Sequence, residues 1–332
     1  MNEPYRAPWW LPGGDLQTLY AAVLGGRRER VRFERERWST PDGDFIDVDR
    51  ADAAGGGARD RPLAVLFHGL EGGSRSHYAS SFAREFTRLG WRCALPHFRG
   101  CSGEPNLLPR AYHSGDSAEI GWVLRRFREE NGRAPVFAVG VSLGGNALLR
   151  WLGEDSAAHE TVDAAAAVSA PMDLMVSGDA LGRGFNLLYT RVFLATMKPK
   201  SREKLARFPG LFDAQAMLRA RTLREFDDAV TAPLHGFRGV DDYWTRASAK
   251  PWLGRIRVPT LLVNARNDPF LPQIALPEKD EVSHAVRCDF PDSGGHVGFV
   301  TGPFPGRLDW LPRRIAGFFR EIDPARRHEQ EP

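Results

Sequence analysis

Four runs of strand length are apolar at every position: 63–67 (Leu-Ala-Val-Leu-Phe), 93–95, 136–139 and 164–168. Between them, at 78–89, 118–127 and 146–152, apolar residues recur at helical spacing. A strand with no polar face cannot lie against water on either side, so its sheet must be covered above and below. Strands that alternate with helices supply that cover, because each crossover lays a helix on a face of a parallel sheet. The chain therefore reads as α/β, with a mostly parallel central sheet flanked by helices.

The alternation has a prelude and an interruption. Residues 31–39 and 44–50 read as two strands joined at Pro41-Asp42-Gly43, a hairpin signal. Gly-rich 51–58 reads as a flexible loop. Alternation stops near Pro171, and 172–250 reads as mostly helical, with amphipathic segments at 181–197 and 203–229. Strands resume at 260–263 and 285–290, and a helix at 308–320 closes the chain. The expected organisation is an N-terminal segment and hairpin packed on the core (1–60), a first core part (61–171), a helical cap insertion (172–250) and a second core part (251–332). A helical decoration remote from any site is the other reading of 172–250.

Composition removes several classes. With 332 residues, 42% of them apolar, the chain can bury one large core with an insertion, or two modest cores. Lys and Arg number 45 against 42 Asp and Glu, so the formal charge is only +3. No basic stripe with interleaved aromatics stands out, and no nucleic-acid partner is expected. The Arg-rich runs at 25–30 and 324–328 are short and read as solvated surface. Three scattered cysteines argue against a disulfide framework. Cys93 and Cys288 lie in expected strands and read as buried, and Cys101 as an inert thiol in a Gly-rich loop. No secretory signal and no run of 18 apolar residues is visible, so a cytoplasmic protein without stable membrane insertion is expected. No metal motif such as His-Glu-x-x-His appears, and no cofactor is expected. The oligomeric state is left open.

The chemistry centres on Val136-Phe-Ala-Val-Gly140-Val141-Ser142-Leu143-Gly144-Gly145-Asn146. With 34 Gly in the chain, chance supplies roughly 0.2 Gly-x-Ser-x-Gly pentapeptides, so the pattern alone is weak. Its placement after an apolar strand and before a helix is what makes it informative. A strand-to-helix turn tight enough to project a serine hydroxyl strains that serine and leaves no room for side chains beside it, hence Gly140 and Gly144 at the nucleophile elbow. A serine hydroxyl also needs a base to take its proton and an anion to orient the base. On this scaffold the chain order is Ser, acid, His. Asp268 follows the strand at 260–263, and His296 follows the strand at 285–290 in a Gly-rich loop. These three are the expected catalytic residues. Asp292 reads as a turn residue, and Asp241 and Asp242 lie in the insertion. An oxyanion hole is expected from the backbone N–H of Leu143, next to the nucleophile, and of Leu70 in Phe67-His-Gly-Leu-Glu-Gly-Gly73.

Four stretches carry a family resemblance over nearly the whole chain: Pro8-Trp-Trp-Leu-Pro-Gly-Gly-Asp-Leu-Gln-Thr18, His68-Gly-Leu-Glu-Gly-Gly-Ser-Arg-Ser-His-Tyr78, His97-Phe-Arg-Gly-Cys-Ser-Gly-Glu-Pro-Asn106 with Tyr112-His-Ser-Gly115, and Gly140-Val-Ser-Leu-Gly-Gly-Asn146. The chain resembles the YheT-like α/β-hydrolases, which are related to plant embryogenesis-associated hydrolases and to membrane-anchored α/β-hydrolase-domain enzymes of animals. The resemblance implies the α/β-hydrolase fold with a helical cap. It also implies a triad on Ser142, Asp268 and His296 and carboxylesterase activity on short- to medium-acyl esters. Animal relatives carry an N-terminal membrane segment and are linked to phospholipid cleavage; no such segment is read here. The stretch 185–197 is read as packing onto the sheet, with contact to a membrane surface as the other use of its amphipathic face. A lipase, phospholipase or acyltransferase would use the same three residues. A ligand-binding protein without catalysis is the reading from another class.

Overall fold

A computed structural model of the chain describes residues 4–26, 31–52 and 60–322. Eight strands form one sheet: β1 (Glu34–Ser39), β2 (Phe45–Ala51), β3 (Leu63–Phe67), β4 (Arg92–Pro96), β5 (Val136–Val141), β6 (Ala164–Val168), β7 (Thr260–Val263) and β8 (Val286–Asp289). Their order is β1-β2-β4-β3-β5-β6-β7-β8. The first two strands pair antiparallel, and β2 is antiparallel to β4. From β4 to β8 all pairs are parallel.

The strands from β3 to β6 are buried at every position, as runs without a polar face require. Alternate side chains feed two separate cores. Leu63, Val65, Phe67, Val136 and Ala138 face one layer, and Ala64, Leu66, Phe137, Val139 and Val141 face the other. The first layer is covered by α3 (Ser117–Asn131), α4 (Leu143–Glu154) and the short α5 (Ala158–Thr161). The second is covered by α2 (His77–Arg88) and α12 (Trp310–Ile322), with Phe137 and Phe319 stacked at 4.6 Å. This is the α/β-hydrolase fold, with a largely parallel sheet flanked by helices and a helical insertion.

Helix α1 (Gly14–Gly26) was not expected from the sequence. Its first turn and a half falls in the stretch Pro8–Thr18 that carries the family resemblance. The insertion carries α6 (Leu174–Leu181), α7 (Leu187–Arg207), α8 (Ala214–Arg219), α9 (Leu223–Phe226), α10 (Ala232–Leu234) and α11 (Val240–Ala247). A π turn at Asp227–Thr231 joins α9 to α10.

Three expectations need correction. The helix expected at 181–197 begins later and runs on through Pro199 to Arg207. Proline inside a helix costs about 3 kcal/mol, and tertiary bonds beyond it offset that cost. Lys204 Nζ donates to Asn106 Oδ1 and Leu108 O, and Arg207 to Asn106 O. The segment 203–229 is not one helix. Asp213 caps α8 through the N–H groups of Gln215 and Ala216, and Thr222 with Glu225 forms a capping box that starts α9. Cys288 is exposed rather than buried: β8 is the edge strand, and of its four residues only Val286 reaches the core. Cys93 is buried, as expected.

Of the loop expected at 51–58, Ala51 ends β2 and all but one of the other residues lie outside the described residues, as do most of the 25–30 run and the 324–328 run. Among the described residues no helix is long and apolar enough to cross a membrane.

Candidate active site

Ser142 stands between the end of β5 and the first residue of α4, at φ 52° and ψ −120°. Such a backbone costs on the order of 1–3 kcal/mol for a residue with a side chain. Its surroundings hold it there. Its N–H continues the sheet ladder to Val168 O at 2.8 Å, and its carbonyl accepts from Gly145 and Asn146 N–H. A Cβ on Gly140 would lie 2.5 Å from Gly144 O, and one on Gly144 would lie 2.6 Å from His68 O. The two glycines are therefore there for close approach of backbones.

Asp268 leaves the carboxyl end of β7, and its side chain is fully buried. Its Oδ1 accepts from Phe270 N–H at 2.9 Å, and its Oδ2 lies 2.9 Å from His296 Nδ1. His296 Nε2 lies 3.0 Å from Ser142 Oγ. An ionised carboxylate only accepts, so Nδ1 carries the proton and Nε2 is left to accept from the serine hydroxyl. The Phe270 ring packs on the imidazole at 4.2 Å between centroids. The three side chains selected from chain order thus meet, although 154 positions separate Ser142 from His296. Asp292 is fully open to solvent beside Arg266, and Asp241 and Asp242 pair with Arg224, Arg238 and Arg246.

The support beneath this relay comes from residues the sequence reading gave no role. Gln17 Oε1, on α1, accepts from Asn267 Nδ2 at 3.0 Å and from Gly294 N–H at 2.8 Å, so one side chain ties the acid loop to the histidine loop. Thr18 Oγ1 accepts from His296 N–H at 2.8 Å, and Asn267 Oδ1 from Gly295 N–H at 3.0 Å. A Cβ on Gly295, which sits at φ 62°, would lie 2.7 Å from Gly14 O. The next residue is held too: Val297 N–H donates to Ser169 Oγ, and its carbonyl accepts from His77 Nε2. Gln17 and Thr18 lie in one of the stretches that carry the family resemblance and His77 in another; nothing local marks Asn267 or Ser169.

The loop after β3 reaches the nucleophile. A Cβ on Gly69 would touch Ser142 Cβ at 3.1 Å, and Gly72 N–H closes a turn onto Gly69 O at 2.9 Å. Leu70 and Glu71 occupy the middle of that turn. Leu143 opens α4, so its N–H precedes the first intrahelical bond.

Arg99, in a loop that had no assigned role, is buried among carboxylates. It donates to Glu119 at 2.6 Å, Asp42 at 2.8 Å and Asp44 at 3.1 Å. Burial, together with the neighbouring Asp116 charge, pushes Glu119 up to about 7 against the pull of Arg99. Next to it His97 Nε2 donates to Asp49 Oδ2 at 2.8 Å. This loop borders the cavity as a charged scaffold.

A cavity of about 920 Å³ opens over Ser142. Leu70, Leu143 and Phe270 line it from the sheet side; Leu181, Phe193, Met197, Leu223, Phe226 and Val230 line it from the insertion. Helix α7 divides its apolar residues. Tyr189 and Leu194 are buried, whereas Leu188 and Val192 are exposed, as is Phe185 in the turn just before the helix. Among the described residues no group of His, Cys, Asp or Glu is arranged to hold a metal ion.

Comparison with known proteins places this geometry. Residues 62–303 match the family model described as the alpha/beta hydrolase fold. The chain is 40% identical over 304 residues to "Putative esterase YheT" of Escherichia coli (strain K12), covering 90% of this chain and 88% of that protein. It is 30% identical to "Phospholipase ABHD3" of Homo sapiens (97% of this chain, 80% of that one) and 26% identical to "Monoacylglycerol lipase ABHD2" of Bos taurus (97% and 81%). Among solved structures, the esterase PF2001 of Pyrococcus furiosus superposes with a TM-score of 0.53 at 17% identity, covering 97% of this chain and 98% of that one. Est1E of Butyrivibrio proteoclasticus does so with 0.56 at 13% identity, covering 86% and 98%. At those identities the structures speak for the fold.

Proposed function

The chain belongs to the α/β-hydrolase family, in its YheT-like branch, and from that premise we propose that it cleaves carboxylic esters with Ser142 as nucleophile, His296 as base and Asp268 as the orienting acid. The observation that carries the reading is the relay at 2.9 and 3.0 Å ending on a serine at positive φ. The names of the relatives, an esterase, a phospholipase and a monoacylglycerol lipase, are those of ester-cleaving enzymes.

In this mechanism His296 Nε2 takes the proton of Ser142 as Oγ attacks the ester carbonyl. The N–H groups of Leu70 and Leu143 receive the developing oxyanion; loss of one such donor typically costs about 100- to 1,000-fold in rate. His296 then protonates the departing alcohol. A water molecule, deprotonated by the same nitrogen, releases the acyl group from Ser142. Asp268 keeps the proton on Nδ1 and stabilises the imidazolium. No cofactor takes part in these steps.

The segment 172–250 acts as the cap between the core parts 61–171 and 251–332, and its apolar side chains take the acyl chain. That assignment favours short- to medium-acyl esters as substrates. Lipid cleavage or acyl transfer to an alcohol would run through the same acyl-enzyme.

The test is Ser142→Ala against a p-nitrophenyl ester series, with a fluorophosphonate probe alongside. The expected outcome is a folded variant without turnover, and labelling of the wild type alone. Wild-type turnover by the variant would overturn the nucleophile assignment. Labelling of neither protein would favour a ligand-binding protein over an enzyme.

A further inference from the structure

Glu71 is an unusual residue for its place. It sits at φ 56°, followed by Gly72 and Gly73, in the turn that presents Leu70 beside Ser142. A residue with a side chain holds that backbone only where its surroundings over-determine it. Three bonds do so. Glu71 N–H donates to Tyr112 Oη at 2.9 Å, Tyr112 O–H donates back to Glu71 Oε1 at 2.9 Å, and Lys200 Nζ meets Oε2 at 2.8 Å. The Glu71 side chain is 9% exposed.

The three bonds join the core to the helical insertion. Tyr112 stacks face to face on Phe98 of the core, at 5.3 Å and 7°. Burial holds its phenol well above the ordinary 10, so it remains a donor. Lys200 comes from α7, one residue past Pro199. Leu70 itself packs against the sheet core and against the cluster of Leu194, Met217, Leu223 and Phe226 in the insertion. The direction of the Leu70 N–H is set by the backbone of this turn. The turn's conformation rests on Glu71 staying at positive φ.

We propose that Glu71, clamped by Tyr112 and Lys200, is a positioning residue that aims the Leu70 N–H into the oxyanion hole, so that seating of α7 through Lys200 completes the site. This rests on the reading of Ser142 and Leu70 given above. A misaimed donor weakens the transition state more than the bound ester, because charge develops on the oxygen only as the bond forms. A displacement of about 1 Å can cost about 100-fold.

The test compares Lys200→Met, Lys200→Arg, Glu71→Gln and the double variant Glu71→Gln/Lys200→Met on one p-nitrophenyl ester. We expect kcat to fall about 10- to 100-fold in Lys200→Met and Glu71→Gln, with KM within about 2-fold and melting temperature unchanged. Lys200→Arg should recover most of kcat. The double variant should be no worse than the poorer single one, as expected of residues acting through one contact. Binding of an arylboronic acid, which forms a tetrahedral adduct on a serine, should weaken by the same factor as kcat. Wild-type kcat in Lys200→Met and Glu71→Gln, a change in KM alone, or a kcat loss matched by a fall in melting temperature would each overturn the proposal. Ser142→Ala separates the two readings. If it is inactive while the clamp variants keep wild-type kcat, only this inference fails; if it retains turnover, the reading beneath it fails as well.

Discussion

The backbone N–H of His296 donates to Thr18 Oγ1 at 2.8 Å, a bond between residues 278 positions apart. It fixes the histidine loop to the first helix of the chain, and Thr18 is itself held by donation to Gly14 O at 2.7 Å. The N-terminal segment is thus part of the site's frame.

Thr18→Val keeps the shape and removes the acceptor. The stranded N–H costs about 1–3 kcal/mol, and the imidazole loses a fixed position. We expect kcat on a p-nitrophenyl ester to fall about 10-fold, with Thr18→Ser restoring it. A Thr18→Val enzyme at wild-type rate would show that the loop holds its place without this bond.

Gly144→Ala tests the elbow. The added methyl would lie 2.6 Å from His68 O and 2.7 Å from Phe67 O, both backbone atoms of the adjoining strand end. Neither atom can step aside without breaking the sheet, so a loss of about 3 kcal/mol or more is expected, at the upper end of overpacking. Urea unfolding measures it; a midpoint equal to wild type would contradict the close packing.

Arg99→Ala removes the cation shared by Asp42, Asp44 and Glu119. Asp44 would keep its bonds from Phe45, Asn106 and Leu107 and Glu119 its contact with Arg110, but both are buried and lose their shared cation, a loss of about 3 kcal/mol, the low end for a broken buried pair. Lys should not substitute well, because one ammonium cannot reach all three as the guanidinium does. A variant within about 1 kcal/mol of wild type in urea would argue that the carboxylates take up protons instead.

Asp227 carries a stability signature in pH. Burial raises it from the ordinary 3.8 to about 6, partly offset by hydrogen bonds from Thr231 and Trp244. The folded state therefore holds this proton more tightly than the unfolded state. The stability it adds is complete below about 4 and is lost as pH rises through about 6. Asp227→Asn lacks that loss and should gain on wild type between pH 4 and pH 8, by on the order of 2–3 kcal/mol. Parallel urea curves at the two pH values give the difference, and an unchanged gap would refute it.

Much of the fold was legible because its signals are local. The apolar runs at 63–67, 136–139 and 164–168 became β3, β5 and β6 with little shift at their ends. The Thr222 capping box is equally local, and it divides 203–229 where amphipathic spacing alone predicts an unbroken segment. Cys288 was misread for the opposite reason: whether a strand lies at the sheet's edge is a property of strand order, not of its residues.

The same division runs through the site. The turn at Ser142 and the placement of Asp268 and His296 after later strands are readable in the residues, because strand ends and glycine turns are written in neighbouring positions. What holds them comes from packing alone: Gln17 between Asn267 and Gly294, and Thr18 under His296. A hydrogen bond between distant residues has no period or spacing to read, since it exists only once packing has brought its two ends within 3 Å or so of each other.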